Sequence, residues 1–113
     1  GTDNVLSAPY FLEELEIALR AMEQKQSTHL LLHILSDGNF SANQMGCRLA
    51  DCIRASDIIG LYKGSIYVLL SQARPSDLPI ISKRLEAAGL QYRLLDTSQQ
   101  AELLGEGAEI AHV

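Results

Sequence analysis

Arginine and aspartate stand three residues apart at several places in this chain, among them Arg54-Ala55-Ser56-Asp57, Arg74-Pro75-Ser76-Asp77 and Arg93-Leu94-Leu95-Asp96. Such a pair can recognise a planar polar ligand from two sides. A guanidinium donates two parallel hydrogen bonds to adjacent acceptors or to a phosphate oxygen pair, and a carboxylate accepts from ligand N–H groups. Such recurrence within 113 residues makes the motif by itself a poor guide, so context must choose among the copies. Arg74 to Asp77 reads as a loop leading to a helix N-cap at Ser76 or Asp77, and Arg93 to Asp96 as a strand leaving into a turn. Arg54 to Asp57 links a helix C-terminus to a strand, where the bland reading is a weak surface pair involving Asp57 or Asp51.

Other reactive side chains form no recognisable constellation. His29, His33 and His112 share no metal-ligand spacing with Cys47 and Cys52, and a lone histidine in an apolar strand is more often a hydrogen-bonded core residue. Both cysteines read as core or near-core thiols within one helix, with neither a zinc quartet nor a disulfide framework. Ser65 and Ser71 have no histidine and acid arranged to activate them. The Gly64 loop is too poor in glycine to cradle phosphates.

The elements that must position these groups follow from periodicity. Phe11, Leu12, Leu15, Ala18, Leu19 and Met22 recur at helical spacing over Pro9 to Gln24, with Ser7 as N-cap and Glu16 to Arg20 as an i,i+4 pair. Leu30 to Leu35 is a nearly continuous apolar run, which suits a central strand covered on both faces. Asp37-Gly38-Asn39 turns the chain, and Ser41 to Ile53 is one helix with Ser41 as cap. Asp57 to Leu61 and Ser65 to Leu70 form an antiparallel hairpin about Tyr62-Lys63-Gly64, with Gly64 at positive φ. Asp77 to Ala88 is a helix closed by Gly89, and Gln91 to Leu95 a strand. Glycines weaken the tail, which reads as a helical turn through Ala101 and Leu104 and an edge strand from Ala108 to Val113.

The order is α-β-α-β-β-α-β plus a short tail, an α+β class with a central antiparallel sheet and helices on one face, the ferredoxin-like arrangement. The length allows a single domain over 1–113, and the opening Gly1-Thr2 is consistent with an expression scar on a domain cut from a longer protein. With 47% hydrophobic and 20% charged residues the chain is ordinary globular material. A net charge of −5 argues against DNA or RNA as partners, because no basic stripe is available for a phosphate backbone. The sequence contains neither a bilayer-spanning run nor a signal peptide, so a cytoplasmic location is expected, including that of a cytoplasmic domain in a membrane-anchored protein.

The run from Arg54 through Lys63-Gly64-Ser65-Ile66-Tyr67 to Leu70 resembles the middle of a GGDEF domain. There, an RxxD inhibitory site leads through a short strand into the signature hairpin, whose place Lys63 to Tyr67 occupy. The resemblance extends over most of the chain up to Leu95 and weakens in the tail. The departures are pointed. His33 and Leu35 stand near the positions of the family's metal aspartate and its neighbour, and Ser65 and Ile66 replace the two hairpin acids. Asp37 reads as a turn former in preference to a metal ligand. Gly38 to Ile53 is too short for the family's substrate-binding helix and loop plus the next helix.

The resemblance therefore implies a degenerate GGDEF domain, of the kind found in the Pel and cellulose secretion systems and closest to the Pel-type receptor. It implies no enzyme, no catalytic residue, no metal and no cofactor, with cyclic di-GMP as ligand, in the form of an intercalated dimer. Arg54, Asp57 and Arg84, the last on the helix after the hairpin, are the expected contacts, since arginine and aspartate together read both edges of guanine. The expected role is control of exopolysaccharide and biofilm output, with further domains of a parent protein and a polysaccharide-secretion or signalling component as partners. The alternative is a nucleotide-independent interaction or dimerisation module, which would use an uncovered apolar face of the helix from Phe11 to Met22.

Overall fold

The computed structural model describes residues 5–35 and 41–111. The Asp37-Gly38-Asn39 turn, the reading of Asp37, and His112 lie outside the described residues. The elements are β1 (Val5–Leu6), α1 (Ala8–Glu23), β2 (His29–Leu35), α2 (Ala42–Ala50), β3 (Ile58–Tyr62), β4 (Ser65–Ser71), a 3-10 turn at Pro75–Asp77, α3 (Leu78–Ala87), β5 (Gln91–Leu95) and α4 (Thr97–Ala111). One five-stranded sheet has the order β1-β3-β4-β2-β5. β2 pairs antiparallel with both β4 and β5, and β3 antiparallel with β4, whereas β1 runs parallel to β3.

The α+β class stands, but the helices cover both faces of the sheet instead of one. Strand residues alternate between the faces, as the pleat requires. Leu30, Leu32 and Ile34 of β2 join Met45, Leu49, Leu85 and Leu90 in a core beneath α2 and α3. Leu31 points the other way, to Phe11, Leu15, Tyr67, Leu95 and Leu103 beneath α1 and α4. The continuous apolar run in β2 is thus explained by two covers, one on each side. It follows that the apolar stripe of α1 is not uncovered: Phe11, Leu15 and Leu19 are buried. Only Tyr10 and Ile17 remain as exposed large apolar residues of this helix.

Local chemistry sets the boundaries. Ser41 and Gln44 form a reciprocal capping box at α2. Lys63 and Gly64 have φ of 50° and 76° between the paired Tyr62 and Ser65, so the hairpin closes through a two-residue turn of the primed kind, whose twist matches the strands. At the end of α3 the N–H of Leu90 donates to Leu85 O at 2.9 Å and that of Gly89 to Glu86 O at 2.9 Å. This is a Schellman closure, with Gly89 at φ 75°.

Three expectations are corrected. The tail is a continuous helix, α4, which runs through Ala108 to Ala111 where an edge strand was expected; Gly107 serves packing, since a Cβ there would sit 2.5 Å from Leu12 Cδ1 of α1. The two-residue β1 escaped notice because so short a run carries no periodicity. Cys52 is buried as expected, but Cys47 is exposed, because α2 presents Met45 and Leu49 to the core and turns Cys47 away. No described helix is long and apolar enough to cross a membrane.

Candidate functional site

Asp57 stands at the entry to β3 with a side chain only 1% exposed. Its Oδ2 accepts the backbone N–H of Arg54 at 2.8 Å, and its Oδ1 accepts the backbone N–H of Ser71, at the end of β4, at 3.0 Å. The Arg54 guanidinium bridges the same two elements: Nη2 donates to Ser71 O at 2.5 Å and lies 3.4 Å from Asp57 Oδ1. Ser71 Oγ donates to Ser56 O at 2.9 Å and completes the clasp.

The other RxxD copies place this one in perspective. Asp77 Oδ2 accepts the backbone N–H of Arg74 at 2.9 Å, the same three-residue return, and Asp96 accepts from Gln99 N at 2.8 Å as the cap of α4. What distinguishes Asp57 is burial and its bond to a separate strand. The Arg54 side chain is 55% exposed while its guanidinium is anchored.

Arg84 reaches the same place from α3. A cleft of ≈ 240 Å³ is lined by Arg54, Asp57 and Arg84 together with Ile80, Ile81 and Asp77. All three sequence-predicted contacts therefore meet in one concavity, brought from the α2–β3 connection and from α3. Ile80, 60% exposed and one turn before Arg84, adds an apolar wall that the sequence reading missed, although its i,i+4 relation to Arg84 was visible. A wider cleft of ≈ 660 Å³ shares Arg84 and Cys52 with the first and adds Arg48, whose Nη1 donates to Ala88 O at 2.7 Å.

The thiol between the clefts is quiet. Burial pushes the Cys52 pKa up, the Asp51 carboxylate adds to this and Arg84 opposes it, and Sγ–H points at Arg48 O and Arg84 O at 3.4 and 3.6 Å. It is a protonated packing residue at neutral pH and not a nucleophile.

The histidines and the hairpin lie elsewhere. His29 is buried, with Nε2 on Gln100 Oε1 at 2.6 Å, while Gln100 Nε2 donates to Leu95 O at 3.1 Å. His33 stacks on Tyr67 at 4.8 Å, and Tyr67 on Phe11 at 5.5 Å. Burial lowers the His33 pKa, and Arg93, its register neighbour on β5, lowers it further. At the hairpin Lys63 pairs with Glu106 of α4 at 3.6 Å. Ser65 and Ile66 open β4, where Ser65 pairs with Tyr62 and Ile66 enters the core.

Neither a protein-family model nor a curated protein matches this sequence. Solved structures do. The GGDEF domain of TpbB (YfiN) from Pseudomonas aeruginosa, in an N-terminally truncated form, superposes with a TM-score of 0.59 at 21% identity, over 78% of this chain and 60% of that one. The diguanylate cyclase SiaD from Pseudomonas aeruginosa, solved in complex with its activator SiaC, gives a TM-score of 0.56 at 15% identity, over 88% of this chain and 52% of that one. The chain thus spans less than two thirds of either neighbour.

These neighbours overturn the expectation that the chain is not an enzyme. That expectation rested on missing carboxylates, and it conflicts with a fold shared with a diguanylate cyclase. What the comparisons establish is architectural: the chain has a GGDEF-like fold.

Proposed function

We propose that this domain is a cyclic di-GMP receptor whose ligand is held by Arg54 and Arg84 over the Asp57 clasp. The observation that carries the reading is the convergence of Arg54, Asp57 and Arg84 on one cleft from separate segments. Arg54 offers a pre-anchored guanidinium whose position is set before ligand arrives, which reduces the ordering cost of binding. Arg84 supplies a second cation one helix away, suited to a phosphate or to the O6/N7 edge of guanine. Ile80 provides an apolar surface for a base face. The ≈ 240 Å³ cleft is small for a dinucleotide, since ligand sites run to about 300–1,000 Å³, and the contiguous ≈ 660 Å³ cleft gives the remainder of the ligand a place to lie. With a net charge of −5, local arginines are the natural way to hold a dianion.

The output of such a receptor is control of exopolysaccharide production, and so of biofilm, through a secretion or signalling partner, as the resemblance to Pel-type domains suggests. Isothermal titration with cyclic di-GMP tests the binding step. Saturable binding that is lost in Arg54→Ala and weakened at least tenfold in Arg84→Ala is the expected result, given about 1.5–3 kcal/mol for a hydrogen bond to a charged group. A flat titration of folded protein sinks the reading.

A further inference from the structure

At the same end of the sheet, on the other side of the β4 exit, lies a cleft of ≈ 510 Å³ with a different character. It is lined by Lys25 and Arg74, by Gln26, Ser27, Thr28 and Gln72, and by Met22. No carboxylate lines it, whereas the Arg54 cleft carries Asp57 and Asp77 and the wider cleft carries Asp51 and Glu86. In a chain with 14 acidic and 9 basic residues, two cations around a carboxylate-free concavity give a local field opposite in sign to the net charge.

Backbone conformation singles out the same cleft. Among the described residues, three non-glycine residues have positive φ: Lys63 in the hairpin turn, and Lys25 at 58° and Gln72 at 57°, both of which line this cleft. The left-handed region costs an ordinary side chain free energy that glycine does not incur. Both residues line the cleft, Lys25 from the end of α1 and Gln72 from the end of β4. At Lys25 this conformation is the Schellman closure of α1, with the N–H of Gln26 on Ala21 O at 2.8 Å and that of Lys25 on Met22 O at 3.0 Å, so these turns shape the wall of the cleft.

We propose that this cleft is a second binding site, for a phosphate group, with Lys25 and Arg74 as the charged contacts and Ser27, Thr28 and Gln72 as neutral donors. The phosphate is that of a free phosphate ion or of a nucleotide monoester. The site is independent of the Arg54 cleft, although Gln72 directly follows Ser71, whose backbone Arg54 and Asp57 hold.

The test is an amide-resolved NMR titration of the full chain with inorganic phosphate and with GMP, against guanosine and against sodium chloride at matched ionic strength. Saturable shifts at Lys25, Ser27 and Gln72 with phosphate or GMP, and none with guanosine or chloride, are the expected result. Equal affinities identify the free ion as sufficient, and tighter binding of GMP identifies the nucleotide as the source. Lys25→Gly and Arg74→Gln should each weaken binding about tenfold, the loss of one charge-assisted contact. Lys25→Gly also keeps the variant folded, because glycine accepts the left-handed conformation, so its melting temperature should not fall. Arg54→Ala should bind phosphate unchanged. The proposal is overturned by a response to chloride equal to that to phosphate, by no saturable response, by undiminished binding in both cleft variants, or by loss of binding in Arg54→Ala alone.

Discussion

The Asp57 carboxylate accepts the backbone N–H of Ser71 from 14 residues away at 3.0 Å, with its side chain 1% exposed. An aspartate so placed acts less as a probe for ligand than as the pin that ties the start of β3 to the end of β4 and fixes Arg54 between them. Removal of the carboxylate in Asp57→Ala leaves the part-buried N–H groups of Arg54 and Ser71 without their acceptor, at a cost of about 1–3 kcal/mol. Asp57→Asn, which keeps one acceptor oxygen, should lose about half as much. Urea midpoints with an unchanged slope would measure both, and an Asp57→Ala variant as stable as the parent would refute the role.

Arg54 and Arg84 should behave differently from Asp57. Both are exposed residues, so Arg54→Ala and Arg84→Ala should each change stability by no more than about 1 kcal/mol while depressing ligand affinity. Arg54→Lys should not restore binding, because an ammonium cannot hold Ser71 O and a second planar partner together. Thermal melts beside titrations separate the two effects.

Two glycines should respond with different magnitudes to the same substitution. A Cβ on Gly60 would stand 2.2 Å from the ring of Phe11, which is stacked on Tyr67 at 5.5 Å and has nowhere to go. Gly60→Ala should therefore cost about 3 kcal/mol, at the upper end for overpacking. At Gly107 the obstacle is the far end of the Leu12 side chain, which can rotate, and alanine favours the helix by about 1 kcal/mol over glycine. Gly107→Ala should be near neutral in the same denaturation experiment.

Stability should carry a pH signature from His33. Its folded pKa is lowered by burial and then by Arg93, so the unfolded chain binds the proton more readily. The contribution is complete above the ordinary value of 6.5 and is lost as pH falls through the lower folded value. His33→Phe, which keeps a ring against Tyr67, should flatten the fall in stability between neutral and mildly acid pH. A slope identical to that of the parent would assign the titration elsewhere.

Much of this architecture was legible because local chemistry and tertiary role agree. The limits of β5, the Lys63-Gly64 turn and the Gly89 closure all follow from residue types whose conformational needs are local. The α4 helix was hidden by Gly105 and Gly107, which weaken a helix locally and at Gly107 admit a neighbour. Its true signal was the reciprocal pair Asp96 and Gln99, a capping box at 2.8 and 2.9 Å. The site divided in the same way. Arg54 and Arg84 were found by register with the hairpin, whereas the burial of Asp57 and the part played by Ser71 depend on where β4 ends beside β3, which no local pattern encodes.

The edge strand β5 governs how this domain behaves among its own copies. At one edge, among the described residues, Val5 and Leu6 pair with β3 at Ile59 and Gly60. At the opposite edge β5 is five residues long and places Gln91 and Arg93 in solvent. Strand addition by another molecule at β5 therefore meets an edge that carries a charge, so that edge should resist edge-to-edge aggregation at high concentration.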